Sequence, residues 1–210
     1  AQVDAWLPPF KFARSLDPSS PKSVGTLVTP EFFTEVRYSH HAALNKSLEV
    51  IESMDQSFTE TFGRASGGLL TVEGDVDARI GILAMGSVVG TLREGHRRHP
   101  EAGAAKIIKL RTFRPFPRAA IQEAVQGLDH LIVIDRAISP GLGGIVGTEV
   151  AAALLGVKNP PRLHNHALGL GGRDIPETIY ADLLDAIANP EAPEFSVFDV
   201  EVEKLAPEDR

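Results

Sequence analysis

Between residues 78 and 189 the apolar residues follow a pattern that switches repeatedly from strand-like to helix-like. Compact apolar runs predict strands, and longer stretches with apolar residues three or four positions apart predict helices. The predicted strand and helix pairs are 78–86 with 88–98, 106–113 with 118–127, 128–135 with 144–156, and 161–170 with 176–189. This alternation predicts an α/β fold, a three-layer and mostly parallel β-sheet with helices on both faces.

The residues before this region lack the alternation. Residues 1–30 carry five prolines together with apolar side chains such as Trp6 and Phe12, which predicts an extended arm lying along a surface of this chain or another. Residues 31–64 predict one long helix, with Pro30 near its first turn and Gly63 at its stop. The α/β domain is predicted over 65–190, and 191–210 forms a proline- and acid-rich tail in which 195–202 alternates like an edge strand or a docking segment.

Composition excludes several classes of function. The 210 residues include 21 basic and 28 acidic side chains, a net charge of −7, which argues against a nucleic-acid partner. The absence of cysteine excludes disulfides, thiolate zinc sites, iron–sulfur ligation and cysteine nucleophiles in this chain. No run of 18 apolar residues and no signal peptide is visible, so we expect a cytoplasmic protein without a membrane span. Because it opens at Ala1, we expect a fragment, a processed chain or one domain of a longer protein.

The loop that follows the most apolar predicted strand is rich in glycine. Residues 135–149 read DRAISPGLGGIVGTE, and Gly141, Gly143 and Gly144 stand just before a predicted helix. A dinucleotide fingerprint fails here, because Val146 stands where G-x-G-x-x-G requires its third glycine. Backbone N–H groups at the helix start could still bind an anion, but a turn that permits close packing is the favoured interpretation.

Four arginines follow the predicted strands and could gather at one edge of the sheet: Arg111, Arg114, Arg136 and Arg173. At that edge they could bind a phosphate or a cofactor, or pair with carboxylates of this chain or a partner. In GSVVGT (86–91), Ser87 is predicted to cap the next helix, and Gly86 and Gly90 to allow close packing of helix on strand.

Histidines offer a weaker signal. His164 and His166 would face the same side of a strand, where a structural pair is favoured over a metal site because no carboxylate or cysteine lies at ligand spacing. The sequence also lacks G-x-S-x-G, H-E-x-x-H and any recognisable pair of catalytic carboxylates. The residues alone therefore predict no catalytic residue and no bound metal.

Five segments together resemble one known family. They are 16–64 (LDPSSPKSVGTLVTPEFFTEVRYSHHAALNKSLEVIESMDQSFTETFGR), AMGSVVGT (84–91), KLRTFRPFP (109–117), VIDRAISPGLGG (133–144) and ALGLGGRD (167–174). In order and spacing they resemble the alpha chain of 2-oxoacid:ferredoxin oxidoreductases. The resemblance covers the second part of that chain, a domain like the C-terminal domain of transketolase with a packing role.

The resemblance implies part of an oxidative decarboxylase, which converts a 2-oxoacid and coenzyme A into acyl-CoA, carbon dioxide and two electrons. Pyruvate is the first expected substrate, and an aromatic 2-oxoacid such as phenylglyoxylate is a further one. Thiamine diphosphate, Mg²⁺ and iron–sulfur clusters are expected on other chains or domains, which the arm and long helix would clasp. Two alternatives stay open: the C-terminal domain of a thiamine enzyme that does not use ferredoxin, and a stand-alone nucleotide- or CoA-binding domain.

Overall fold

A computed structural model describes residues 1–12, 15–25, 27–75, 77–189 and 191–210 of the chain. The chain divides into two compact units, residues 1–66 and residues 67–210. Within these described ranges, none of the helices combines the length and the apolar composition that a bilayer span requires.

The described residues of the first unit form two helices, α1 (Gln2–Trp6) and α2 (Pro30–Phe62). Helix α2 has proline at its first position and ends at Gly63, whose φ of +67° is the left-handed conformation that commonly terminates helices. The Gly63 N–H donates to the carbonyl of Thr59 and satisfies one of the last open carbonyls of the helix. The predicted long helix and both of its end signals are confirmed.

Residues 1–30 are not extended throughout, because they include helix α1. The Trp6 side chain at its end packs against α2: the indole N–H donates to Ser57 Oγ at 2.9 Å. The indole ring also meets the rings of Phe58 and Phe62 edge-on, with centroids 5.8 and 5.7 Å away. Edge-to-face contacts of this kind are favourable beyond the area they bury. The start of the arm is therefore anchored on the C-terminal end of α2.

The described residues of the second unit form one six-stranded sheet with four α-helices around it. The strands are β1 (Leu70–Gly74), β2 (Ile80–Met85), β3 (Lys106–Leu110), β4 (His130–Asp135), β5 (Arg162–Ala167) and β6 (Phe195–Val197). The helices are α3 (Val88–Arg98), α4 (Arg118–Ala124), α5 (Ile145–Leu154) and α6 (Ile179–Ile187). Each predicted strand and helix is present, usually a few residues shorter than predicted.

The strand order is β1-β3-β2-β4-β5-β6. Every neighbouring pair is parallel except β1 with β3, which is antiparallel. The predicted mostly parallel α/β sheet is therefore confirmed. Strand β1 was not predicted, and β6 is the edge strand expected within 195–202, reduced to three residues. Because β6 pairs with β5, part of the predicted tail belongs to the sheet.

The helices cover both faces of the sheet. Helices α3 and α6 pack on one face, where the buried cluster includes Ile82 and Ile132. Helices α4 and α5 pack on the other, where the cluster includes Leu83 and Leu131. Successive residues of β2 and β4 thus enter opposite cores, which explains why these strands are continuous apolar runs rather than alternating ones.

Helices α3 and α6 approach each other closely at Gly95. A Cβ atom there would stand 2.5 Å from the Tyr180 Cβ and would also clash with the carbonyl oxygen of Glu177. The Tyr180 ring is fully buried, its hydroxyl donates to the Gly103 carbonyl at 2.8 Å, and His96 Nδ1 lies 2.9 Å from it. Burial raises the pKa of the Tyr180 hydroxyl to about 12. Because Gly95 has no side chain, α3 and α6 can pack this close to each other.

Two glycines of the same helix provide a matched test. We expect Gly95→Ala to lower the free energy of unfolding by about 1–3 kcal/mol, because the added methyl overpacks the contact with α6. Gly90→Ala should instead raise it by about 0.5–1 kcal/mol, since nothing lies within 4 Å of that position and alanine is the better helix former. Urea denaturation followed by circular dichroism measures both. Equal effects of the two substitutions would contradict the close approach of α3 and α6.

Candidate functional site

The carboxyl ends of the parallel strands form the candidate site. From β2 the chain crosses to β3 on one side and then to β4 on the other, so the ends of β2 and β4 flank a topological switch point. In open α/β sheets, ligands bind outside the strands at such points. Two segments stand there: Gly86 and Ser87 after β2, and residues 136–144 after β4, named here the edge loop. Together with the turns after β3 and β5 they form the carboxyl edge.

The N-terminus of α5 is occupied by the chain's own carboxylate. Asp135, at the end of β4, is only 2% exposed, and its Oδ1 accepts a hydrogen bond from the Val146 N–H at 2.8 Å. Its Oδ2 accepts one from the Gly147 N–H at 2.9 Å and one from Asn165 Nδ2 at 2.8 Å. A negative charge at a helix N-terminus is stabilised by the free N–H groups and the helix dipole. The position where a phosphate would bind on α5 is therefore already filled.

The glycines around Asp135 make room for this arrangement. The Gly144 N–H donates to Asn165 Oδ1 at 3.0 Å, and a Cβ at Gly144 would clash with both Asp135 and Asn165. Gly147, which follows in α5, would clash with Asn165 in the same way. This geometry favours close packing over an anion cradle as the reason for these glycines.

The two preceding glycines of the loop differ from Gly144. Gly143 has a φ of +124° and lies against the ring of Phe195, 3.2 Å from where its Cβ would be. Gly141 has a φ of +81° with nothing within 4 Å, so it is needed for the turn alone. A cofactor-binding role for Gly141, Gly143 and Gly144 stays a prediction.

Two of the four arginines that the sequence analysis singled out pair with carboxylates of this chain. Arg114 pairs with Glu149 and lies over the Phe113 ring, 4.3 Å from its centroid. Arg173 donates to the carbonyl oxygen of Asp199 and stands 3.5 Å from a carboxylate oxygen of Glu201. Own-chain carboxylates therefore satisfy these two cations, which was one of the two interpretations that the sequence left open.

The other two arginines differ from these. Arg136, just after β4, donates to the Gly169 carbonyl at 3.3 Å, and Arg111, just after β3, is exposed. Among the residues that the structure describes, neither guanidinium forms an ion pair with a carboxylate. All four arginines follow the carboxyl ends of strands. Within the described residues, the charges of Arg111 and Arg136 are not balanced by a carboxylate, whereas those of Arg114 and Arg173 are. Ligand binding by any of them stays a prediction.

The start of α3 differs from the sequence prediction. Ser87 occupies the N-cap position, but its side chain makes no capping hydrogen bond. Gly86 has a φ of +72° and, like Gly90, has nothing within 4 Å of its would-be Cβ, so the predicted close packing at these two glycines is wrong. The close approach lies instead at Gly95, one turn and a half further along. The requirement at Gly86 is conformational, because only glycine adopts that φ without strain.

His164 and His166 are both buried in β5. His164 Nε2 lies 3.0 Å from His130 Nδ1, and His166 Nδ1 lies 2.8 Å from Ser196 Oγ. The remaining ring nitrogens, His164 Nδ1 and His166 Nε2, have no partner within the described residues. In that part of the chain no three His, Cys, Asp or Glu side chains are grouped so that they could hold a metal. The geometry thus favours a structural role.

Burial controls the charge of these histidines. It is the main reason that the pKa of His164 falls to about 4, and the nearby charges of His130, Arg162 and His166 lower it further. Burial also lowers the pKa of His166. Both imidazoles are consequently neutral at pH 7.

The chain is similar in sequence to proteins of one known family. A family model described as pyruvate:ferredoxin oxidoreductase core domain II matches residues 78–178, which extend from β2 to the residue before α6. Pyruvate synthase subunit PorA of Methanosarcina barkeri is 36% identical over 185 residues, 87% of this chain and 46% of the relative. Ketoisovalerate oxidoreductase subunit VorA of Pyrococcus abyssi is 36% identical over 177 residues, 82% of this chain and 44% of the relative.

The chain spans slightly less than half the length of these relatives. A solved 2-oxoglutarate:ferredoxin oxidoreductase from Magnetococcus marinus aligns with 67% of this chain and 23% of that chain at 16% identity, with a TM-score of 0.41 that is too low to support an argument. The chain belongs to the alpha subunits of 2-oxoacid:ferredoxin oxidoreductases, of which it represents the C-terminal part.

Replacing the buried carboxylate tests the arrangement at α5. We expect Asp135→Asn to lower the free energy of unfolding by about 3 kcal/mol, because an amide cannot accept all three donors and places its own N–H against another. Asp129→Asn is the control, since its ion pair with Arg79 is exposed to water and screened by it, and therefore contributes little to stability. Urea denaturation of both variants at pH 7 makes the measurement. A loss at Asp135 no larger than at Asp129 would contradict the proposed anchoring of α5.

The buried histidines predict a pH dependence of stability. Above pH 6.5 the folded and unfolded states both hold a neutral His164, so it contributes no pH dependence there. Between pH 6.5 and about 4, the unfolded chain takes up a proton that the folded chain does not. The free energy of unfolding should therefore decrease as the pH is lowered from 6.5 to about 4, by an amount on the order of 3 kcal/mol. His164→Gln should flatten the slope measured by urea denaturation, and an unchanged slope in this variant would contradict the prediction.

Proposed function

We propose that this chain is the structural and assembly part of a thiamine-diphosphate-dependent 2-oxoacid:acceptor oxidoreductase. The observation that carries the proposal is the similarity to PorA and VorA, which extends over more than four fifths of the chain. The reaction proposed for the complex is oxidative decarboxylation, in which a 2-oxoacid and coenzyme A give acyl-CoA, carbon dioxide and two electrons. Ferredoxin or another acceptor takes the electrons, and the complex is proposed to be cytoplasmic.

In this proposal the chemistry takes place on other chains. The sequence contains no cysteine to ligate an iron–sulfur cluster. The described residues also include no group of three metal-ligating side chains for the Mg²⁺ of a thiamine diphosphate site. Those groups do not fit this chain, so we assign no reaction step to its residues. Its own contribution is a rigid α/β domain whose carboxyl edge faces the rest of the complex.

Pyruvate is the proposed substrate. One of the two relatives described above is named a pyruvate synthase subunit and the other a ketoisovalerate oxidoreductase subunit, so the relatives themselves differ in substrate. An aromatic 2-oxoacid such as phenylglyoxylate is the second candidate. Assays of the complex with each 2-oxoacid separate these substrates.

Helix α2 supports an assembly role for the first unit. None of its 33 residues is buried, although apolar side chains recur along it. Phe32 is 66% exposed, Phe33 55% and Tyr38 71%. Large apolar side chains that stay exposed on an amphipathic helix are typical of a surface that contacts another protein. We propose that α2 and the arm clasp another part of the complex.

Purification of the chain from its source, followed by native mass spectrometry, tests the proposal. We expect chains that carry thiamine diphosphate and iron–sulfur clusters to co-purify, because the proposal places both groups on other chains. The purified complex should reduce an electron acceptor only when both a 2-oxoacid and coenzyme A are present. Partners without iron–sulfur clusters would favour a thiamine enzyme that does not use ferredoxin.

A chain that purifies alone, folded and monomeric, would contradict the proposal. It would favour the stand-alone nucleotide- or CoA-binding domain. Calorimetry then measures whether the isolated chain binds coenzyme A, as the stand-alone domain requires. Variants with the charge of Arg111, Arg136 or Arg173 reversed are measured beside it. Binding that these reversals abolish would place the ligand at the carboxyl edge.

A further inference from the structure

The edge loop presents apolar side chains to water. Leu142, at its tip, is 67% exposed, and Ile138 is 37% exposed. Ile145, the first residue of α5, is 41% exposed and follows the loop directly. Three large apolar side chains thus occur within eight residues at the topological switch point of the sheet. Clustered exposure of this kind marks interaction sites more often than scattered single residues do.

The backbone of the loop is fixed. The Ser139 N–H donates to the Gly143 carbonyl at 2.8 Å, and the Gly143 N–H donates back to the Ser139 carbonyl at 3.0 Å. The Leu142 N–H donates to the same Ser139 carbonyl at 2.9 Å. At the end of the loop, the Gly144 N–H donates to Asn165, and the start of α5 donates to Asp135. The exposed side chains are therefore displayed on a rigid support, which lowers the entropy lost when a partner binds them.

Charge indicates what kind of partner fits. Arg136 belongs to the loop and has no carboxylate partner within the described residues, and Arg111 at the same edge has none either. The chain as a whole carries a net charge of −7, whereas this surface combines exposed apolar side chains with two arginines that have no carboxylate partner within the described residues. A two-fold contact between two copies through this loop would place two cationic surfaces against each other, which is unfavourable. A surface that presents carboxylates around an apolar pocket is complementary.

We propose that the edge loop docks into an apolar, carboxylate-bordered pocket on a different subunit of the oxidoreductase, with Leu142 as its central anchor. This inference rests on the proposed function, which supplies the partner subunit. It assigns Asp135 and Asn165 a positioning role, because they hold the loop in the conformation that the pocket accepts. Arg136 contributes steering and orientation by pairing with a carboxylate at the rim.

Two leucines give a matched test. Leu142 is 67% exposed and Leu155 is 70% exposed. Leu142 precedes α5 and Leu155 follows it, so the two leucines lie at opposite ends of this helix. The chain, or either leucine-to-serine variant, is recombined with the subunits that co-purify with it, and the dissociation constant is measured by interferometry. We expect Leu142→Ser to weaken binding at least tenfold, since truncating a central apolar anchor has effects of that size. Leu155→Ser should change it less than twofold.

Charge and folding complete the design. Arg136→Glu should weaken binding at low salt by more than it does at high salt, because salt screens the pairing with the rim. Circular dichroism of each variant checks that the fold is intact, which is expected because both leucines are exposed. Leu142→Met, which keeps the apolar volume, should bind within about threefold of the original chain.

The outcomes separate this inference from the proposed function. If the unaltered chain does not associate with any subunit, the proposed function fails. If it associates and Leu142→Ser binds as well as Leu155→Ser, the docking role of the loop is wrong while the proposed function stands. If Leu142→Ser abolishes only self-association of the chain, the occupant is a second copy, and the inference is likewise overturned.

Discussion

The hydrogen bonds received by the Asp135 carboxylate determine the conformation of the carboxyl edge. A buried ion is tolerated only when its environment compensates the loss of hydration. Here the compensation comes from two N–H groups of α5 and from the Asn165 amide. Asn165 in turn binds the Gly144 N–H and the Val133 carbonyl. One carboxylate thereby ties β4, β5, the edge loop and α5 together, and the glycines at 144 and 147 follow from the space it needs.

Local pattern was sufficient for much of the fold. The buried run of β4 and the apolar spacing of α3 predicted these elements within a few residues, because both are long and periodic. Strand β1 escaped prediction because its five residues include no comparable run and its partner β3 lies more than thirty positions along the chain. The pairing of Leu70–Gly74 with β3 is a tertiary contact, and a local pattern does not contain it.

The site was predictable only in part. The sequence placed the glycine-rich loop and four arginines after strands, and the structure brings these segments to one edge. The sequence did not indicate the contact of Asp135 with Asn165. This contact depends on the strand register that sets Val133 opposite Asn165. Parallel register is fixed by the packing of both sheet faces rather than by neighbouring residues. The same reason explains Gly90 and Gly95: both stand in α3, and only the position of α6 shows which one is crowded.

The packing of Trp6 has a practical consequence for spectroscopy. It is the chain's sole tryptophan, and its indole is held by Ser57, Phe58 and Phe62 within the first unit. Intrinsic indole emission therefore reports the environment of the arm and the end of α2, and is silent about the sheet. Of the two tyrosines, Tyr180 alone lies in the second unit, where it is buried between α3 and α6. The other tyrosine, Tyr38, lies in α2, so only in a Tyr38→Phe variant does tyrosine emission report the second unit while indole emission reports the first.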